Sequence, residues 1–156
     1  MLKVGIIGCG SIARFCHFPE YAELAREGLV RIVKAYDVVM ARAEEMGTKY
    51  QSKACKDYME ILNDPEIEAV SVCVPNYLHA KITMEALSAG KHVLCEKPIA
   101  TSLKEAEAMI KAAKNSGKKL MVAQSQRFAL AHKKAKEIID SGVLGRILTF
   151  ETAFAH

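Results

Sequence analysis

Two hydrophobic periods alternate along this chain. Compact apolar runs of strand length occupy residues 2–7, 29–36, 69–74, 92–95 and 120–123, and between them apolar residues recur every three or four positions over 11–27, 39–46, 78–89 and 103–116. The first pattern predicts buried strands and the second amphipathic helices; a weaker strand near Ala54 and a short helix over 58–62 fill the remaining interval. Glycines punctuate the alternation. Gly8 ends the first run, Gly28 the first helical stretch, Gly47 closes the second, and Gly90 and Gly117 follow the next two. Ser102 is placed to cap the helix over 103–116, with Glu105 as its partner three residues on. Strands that alternate with helices at these lengths predict a parallel sheet covered on both faces, because parallel neighbours need crossover connections. The expected class is α/β, a doubly wound sheet.

Beyond Gln124 the pattern changes. A basic helix over 131–140 leads to Ser141-Gly142 and Gly145, and from Arg146 the chain alternates Leu148, Phe150, Thr152 and Phe154, as a half-buried strand of another sheet does. The expected division is therefore 1–124 for the first domain, and 125–156 for a linker helix and the first strand of a second α/β domain. The chain ends at His156 on that strand without turn, cap or polar tail, so a second domain cut short is expected.

Composition narrows the class. With 156 residues, 51% of them hydrophobic, the chain can bury a sizeable core, which argues against disorder. Its longest apolar stretches reach only about half of the ~20 residues of a membrane-spanning helix. The apolar N-terminus is too short for the core of a secretion signal. Cys9, Cys16, Cys55, Cys73 and Cys95 form no C-x-x-C pair and no metal-ligand spacing, so free thiols, no metal site and a cytoplasmic location are expected. The net charge of +4 comes from lysines spread along helices, among them Lys104, Lys111, Lys114 and Lys118. Solvated helix faces explain it, and neither nucleic acid nor membrane is expected as a partner.

Chemistry enters at the strand ends. Gly8, Gly10 and Ala13 satisfy G-x-G-x-x-A in the segment Gly8-Cys9-Gly10-Ser11-Ile12-Ala13, directly after a predicted strand and at the opening of a helix. The first glycine permits the tight turn, the second lets backbone approach a pyrophosphate, and the small third residue allows close helix packing. The helix N-terminus, with Ser11 and Ile12 in its first turn, adds free amides and a positive dipole. This is the fingerprint of a dinucleotide-binding Rossmann domain. Asp37, at the end of the second strand, suits a ribose diol and repels a 2′-phosphate, favouring NAD; Arg42, nearby in sequence, is the kind of residue that accommodates NADP. Val74-Pro75-Asn76 leaves the next long strand at the carboxyl edge, where ligands of such sheets gather, and Asn76 offers both donor and acceptor. His79 opens the following helix, as a contact of the same site or as a capping or packing residue. Glu96-Lys97-Pro98 closes the run over 92–95 and brings an ammonium group to the same edge, where a substrate hydroxyl loses its proton as hydride leaves.

Together Gly8-Cys9-Gly10-Ser11-Ile12-Ala13, Pro75-Asn76-Tyr77-Leu78-His79 and Cys95-Glu96-Lys97-Pro98 resemble the Gfo/Idh/MocA oxidoreductase family, over nearly the whole chain. The resemblance implies that Lys97 touches cofactor and substrate, that Asn76 and His79 border the nicotinamide, and that substrates are sugars, cyclitols or related polyols. Gln126-Arg127-Phe128 resembles the polar-Arg-aromatic segment at the family's domain junction, and Ser141-Gly142-x-x-Gly145 its lead into the second domain. Relatives continue into an α/β domain that carries a catalytic histidine and the dimer surface, so a homo-oligomer is implied where that domain is present. The expected cofactor site is thus Gly8, Gly10, Ser11, Ile12, Ala13, Asp37, Arg42, Val74, Pro75, Asn76, His79, Glu96, Lys97, Gln126 and Arg127, with Lys97 as the catalytic group. A dinucleotide sensor or scaffold that associates through the final strand and its Phe150/Phe154 face is the alternative. A flavin or S-adenosylmethionine site would leave the segments around His79 and Lys97 without a purpose.

Overall fold

A computed structural model describes residues 1–153, which form two compact units, Met1–Ala123 and a second that begins at Gln124. The first begins with β1 (Leu2–Ile7), the glycine turn, a π-helical segment (Ala13–His17) and α1 (Phe18–Arg26). It continues through β2 (Val30–Tyr36), α2 (Met40–Tyr50), β3 (Lys53–Cys55), α3 (Met59–Leu62) and β4 (Ala69–Val72). A 3-10 turn (Asn76–Leu78), α4 (His79–Ser88), β5 (His92–Cys95), α5 (Leu103–Ser116) and β6 (Leu120–Val122) complete it.

All six strands are parallel, in the order β3-β2-β1-β4-β5-β6. The chain thus starts at the middle of the sheet, builds outward in one direction and then returns to build in the other, as the alternating pattern predicted. The connections leaving β1 and β4 go opposite ways, and a crevice opens between them at the strands' carboxyl ends. Side chains alternate across the sheet: Val4 and Ile6 of β1 join Phe18, Ile32 and Met46 on one face, whereas Ile7 joins Ile61, Val70, Leu87 and Met109 on the other. Both faces are buried, which is why the strands read as continuous apolar runs. Each such side chain contributes roughly 1.5–3 kcal/mol on leaving water.

The second helix departs from its expected end. α2 runs through Gly47 to Tyr50 and stops at Gln51, which takes a left-handed conformation with φ 53°. Gly47 serves packing instead: a Cβ there would sit 2.6 Å from the Ser52 carbonyl oxygen, so only glycine lets the chain fold back so closely. At α5 the Glu105 N–H donates to Ser102 Oγ at 3.3 Å, as a cap should. The Glu105 carboxylate reaches back over the cap, accepting from the Thr101 amide and hydroxyl at 3.1 and 2.7 Å, and Thr101 and Ser102 together hold its carboxyl below the usual range.

The second unit holds a 3-10 turn (Ser125–Phe128) and α6 (Leu130–Asp140). None of its described side chains is buried. Residues 146–153 form no strand, contrary to their alternating pattern, and Phe150 is 70% exposed. A strand needs a neighbour's amides and carbonyls, and among the described residues this unit has no strand to supply them. The association surface expected of that strand is correspondingly not formed over 146–153, and Phe154 lies outside the described residues. Among the described residues no helix is long and apolar enough to cross a membrane.

Candidate functional site

The glycine turn is fixed by its neighbours. The Gly8 N–H donates to the Tyr36 carbonyl at 2.7 Å, tying the end of β1 to the end of β2. Gly8 has φ 98°, and a Cβ on it would lie 2.5 Å from the Cys73 carbonyl oxygen, so the turn presses directly against the exit of β4. Gly10 is the opposite case. A Cβ there would meet nothing within 4 Å, which leaves bare backbone facing open space at the start of the helix. Ala13, the third small residue of the fingerprint, is fully buried in the core cluster with Ile6 and Phe18 and does not line the crevice.

Asp37 is the buried acid of this region, only 8% exposed. Its Oδ2 accepts from the Cys9 N–H at 2.8 Å and its Oδ1 from the Val39 N–H at 2.9 Å, so the carboxylate is locked to the glycine turn and to its own loop. Arg42 Nη1 stands 3.8 Å from Oδ1, on a half-exposed side chain. A carboxylate has about four acceptor positions. Two remain after the backbone bonds. Burial, reinforced by the negative charge of Asp37, pushes the Cys9 thiol up to about 12 against the weaker opposing influence of Arg14 and Arg42. Cys9 is therefore a packing residue and no nucleophile at neutral pH.

A cleft of about 490 Å³ at the carboxyl ends of β1, β2 and β4 brings together Gly8, Gly10, Ser11, Ile12, Asp37, Arg42, Val74 and Pro75. Its other walls, outside the expected set of contacts, are Tyr36, Val38, Tyr58, Cys73, Tyr77, Leu78, Lys81 and Ile82, of which Tyr77 and Leu78 belong to the quoted Pro75–His79 motif. The spacing of Leu78, Lys81 and Ile82 puts them on one helix face, which was a readable signal. Tyr36 and Tyr58 meet edge to face with centroids 5.7 Å apart. The Tyr58 hydroxyl donates to Glu85 at 2.8 Å, and that bond, with burial, pushes the phenol up to about 12. A larger concavity of about 870 Å³ lies beside the start of β2, lined by Met1, Val30 and Arg31 among others; it contains none of the expected residues.

The remaining expected residues lie outside the cleft. Asn76 is exposed at the start of the 3-10 turn. His79 is buried, with Nδ1 2.7 Å from the Pro98 carbonyl oxygen and Nε2 2.9 Å from that of Val74. Both ring nitrogens face backbone, so the ring has no free edge for a ligand. Glu96 is buried too: Oε1 lies 2.9 Å from His17 Nε2, and Oε2 accepts the Lys97 N–H at 3.0 Å. Lys97 itself is exposed, two residues past the Cys95–Val72 pair that ends the β4–β5 ladder. Gln126 and Arg127 are exposed in the second unit, where the Gln126 carbonyl lies 2.8 Å from His132 Nδ1. Unforeseen altogether was the polar network beneath the turn, in which His17 Nδ1 lies 3.3 Å from Ser71 Oγ and the Tyr21 hydroxyl 2.7 Å from the same oxygen.

Residues 2–124 match the profile of an oxidoreductase family with an NAD-binding Rossmann fold, Gfo/Idh/MocA. Among curated proteins, inositol 2-dehydrogenase of Salmonella typhimurium is 33% identical over 150 residues, covering 94% of this chain and 44% of that protein. Levoglucosan dehydrogenase of Pseudarthrobacter phenanthrenivorans is 36% identical over 159 residues, covering 98% of this chain and 40% of its own length. Among solved structures, a 3-ketoreductase from Actinomadura kijaniata in complex with NADP and TDP-benzene superposes with a TM-score of 0.83 at 30% identity, over 91% of this chain and 43% of that one. The chain thus spans less than half the length of the relatives it matches.

Proposed function

Because this chain belongs to the Gfo/Idh/MocA family of NAD-binding oxidoreductases, we propose that it is the cofactor-holding part of an enzyme that moves a hydride between NAD(P) and a hydroxyl-bearing carbon of a sugar, cyclitol or related polyol. The observation that carries this reading is the cleft in which the open backbone at Gly10 and the half-satisfied carboxylate of Asp37 face the same space. Those groups fit a dinucleotide. Bare backbone and the helix N-terminus at Ser11 and Ile12 receive the pyrophosphate, and the two spare acceptor positions of Asp37 receive a ribose diol. The same carboxylate opposes a 2′-phosphate while Arg42 attracts one, so NAD is favoured and NADP accepted less well. Val74 and Pro75 line the same cleft, and Asn76, exposed beside them, would offer the cofactor a donor and an acceptor.

When bound, the nicotinamide supplies the hydride acceptor or donor. Lys97, exposed beyond β5, takes the role of holding the substrate oxygen: as the ammonium it donates a proton to that oxygen when the substrate is reduced, and as the free amine it accepts the hydroxyl proton when the substrate is oxidised. Gln126 and Arg127 belong to the segment that resembles the family's domain junction, and their assignment to the cofactor rests on that resemblance. Residues 1–124 are read as the cofactor domain, and residues 125–156 as the lead into a substrate and dimerisation domain. The partners are a small polyol and, where the second domain is present, a second copy of the protein, with neither nucleic acid nor membrane, and the location is cytoplasmic, in keeping with five free thiols.

Calorimetric titration of the chain with NAD and NADP tests the proposal. Saturable binding of both, tighter for NAD and abolished by Gly10→Val, is expected. Absence of binding for either nucleotide by the folded chain would overturn it.

A further inference from the structure

We propose that two buried histidines from different helices, His17 and His79, are positioning residues that hold Lys97 from both sides. This rests on the reading that Lys97 works at the nicotinamide. Neither ring lines the cleft, and neither has an edge open to a ligand. Each is instead tied to a residue adjoining Lys97. His17 ends the helical segment that grows out of the glycine turn, and its Nε2 lies 2.9 Å from Glu96 Oε1. The other oxygen of Glu96 accepts the backbone N–H of Lys97 itself, at 3.0 Å. Ser71 at 3.3 Å from His17 Nδ1, with Tyr21 behind it, fixes the ring's orientation. On the far side His79, the first residue of α4, places Nδ1 2.7 Å from the carbonyl oxygen of Pro98 and Nε2 2.9 Å from that of Val74.

The residues before and after Lys97 are thereby fastened to the two helices whose starts form the walls of the cleft. Packing alone does not call for this arrangement, since apolar side chains of similar volume fill such space without the desolvation cost of a buried carboxylate and two imidazoles. What the polar pairs add is direction. They set the backbone at 96–98 relative to the glycine turn and the Val74-Pro75 turn, while the Lys97 side chain stays exposed.

The oxidised nicotinamide ring is cationic and the reduced ring is neutral, so an ammonium held beside it favours NADH over NAD. Lys97→Ala in the 156-residue chain is expected to lower the NADH-to-NAD affinity ratio about fivefold, the Coulomb effect of one charge at contact in a watery setting. In His17→Leu and His79→Leu backgrounds the same substitution should change the ratio less than about twofold, while affinity for ADP-ribose, which lacks the nicotinamide, stays at its original value. His17→Gln and His79→Gln, which keep a donor near the ring's reach, should restore much of the Lys97 effect. Where a leucine variant does not fold, asparagine, too short to span to either partner, carries the same test. A Lys97→Ala effect of equal size in wild-type and histidine-variant backgrounds overturns the clamp and leaves the nicotinamide role of Lys97 standing. No effect of Lys97→Ala in the wild-type chain removes that role and the clamp with it.

Discussion

The two ends of the sheet's carboxyl edge are built on opposite plans. Around β1 and β2 the chain presents backbone: a glycine pressed against β4, a second glycine facing open space, and one buried acid already committed to two amides. Around β5 it presents a single exposed lysine that follows a buried carboxylate, Glu96. The first plan suits a ligand part that never varies, because backbone amides and a fixed carboxylate need little adjustment. The second suits chemistry that changes with the substrate, since the reacting end of a side chain is left for other residues to complete.

The sharpest way to break this contrast is at Gly8. Gly8→Ala adds a Cβ 2.5 Å from the Cys73 carbonyl oxygen at φ 98°, so backbone must move; a loss of ~3 kcal/mol or more is expected, read as a drop in Tm on the order of 10 °C. Gly10→Val should do the reverse. With nothing within 4 Å of its Cβ, the fold keeps its Tm to within ~3 °C, while NAD affinity falls by at least ~100-fold as the side chain takes the pyrophosphate's place. Two glycines two residues apart would then separate cleanly, one by calorimetric unfolding and the other by titration. Asp37→Ala falls between them: the Cys9 and Val39 amides lose their acceptor. About 1–3 kcal/mol of stability should go, together with roughly tenfold in NAD affinity and any preference for NAD over NADP. Arg42→Ala, on a half-exposed side chain, is the mildest. NADP affinity should fall about threefold to fivefold and NAD affinity should hold, measured in parallel titrations.

What could be read beforehand was whatever depends on neighbours in sequence. The glycine turn, the acid ending β2 and the alternation of strand and helix are local patterns, and the parallel 3-2-1-4-5-6 order follows from them with few alternatives. What could not be read depends on distant partners. Glu96 turns inward because of His17, 79 positions away, and His79 turns inward because of Pro98, 19 positions away. Gly47 looked like a helix stop because its real reason, the carbonyl of Ser52 folding back against it, exists only in three dimensions. The alternating segment after Arg146 carries the period of a strand, but a period is a preference, and without a neighbouring strand it remains one.

The sheet's two borders have a consequence of their own. β3 and β6 are the outermost strands, and each is only three residues long, β3 opening with Lys53 and β6 preceded by Lys118 and Lys119. Short, charged borders are poor templates for a strand from another molecule. Such a sheet is guarded against growing outward into fibrils at high concentration, and self-association of this unit is steered toward its helical faces and loops.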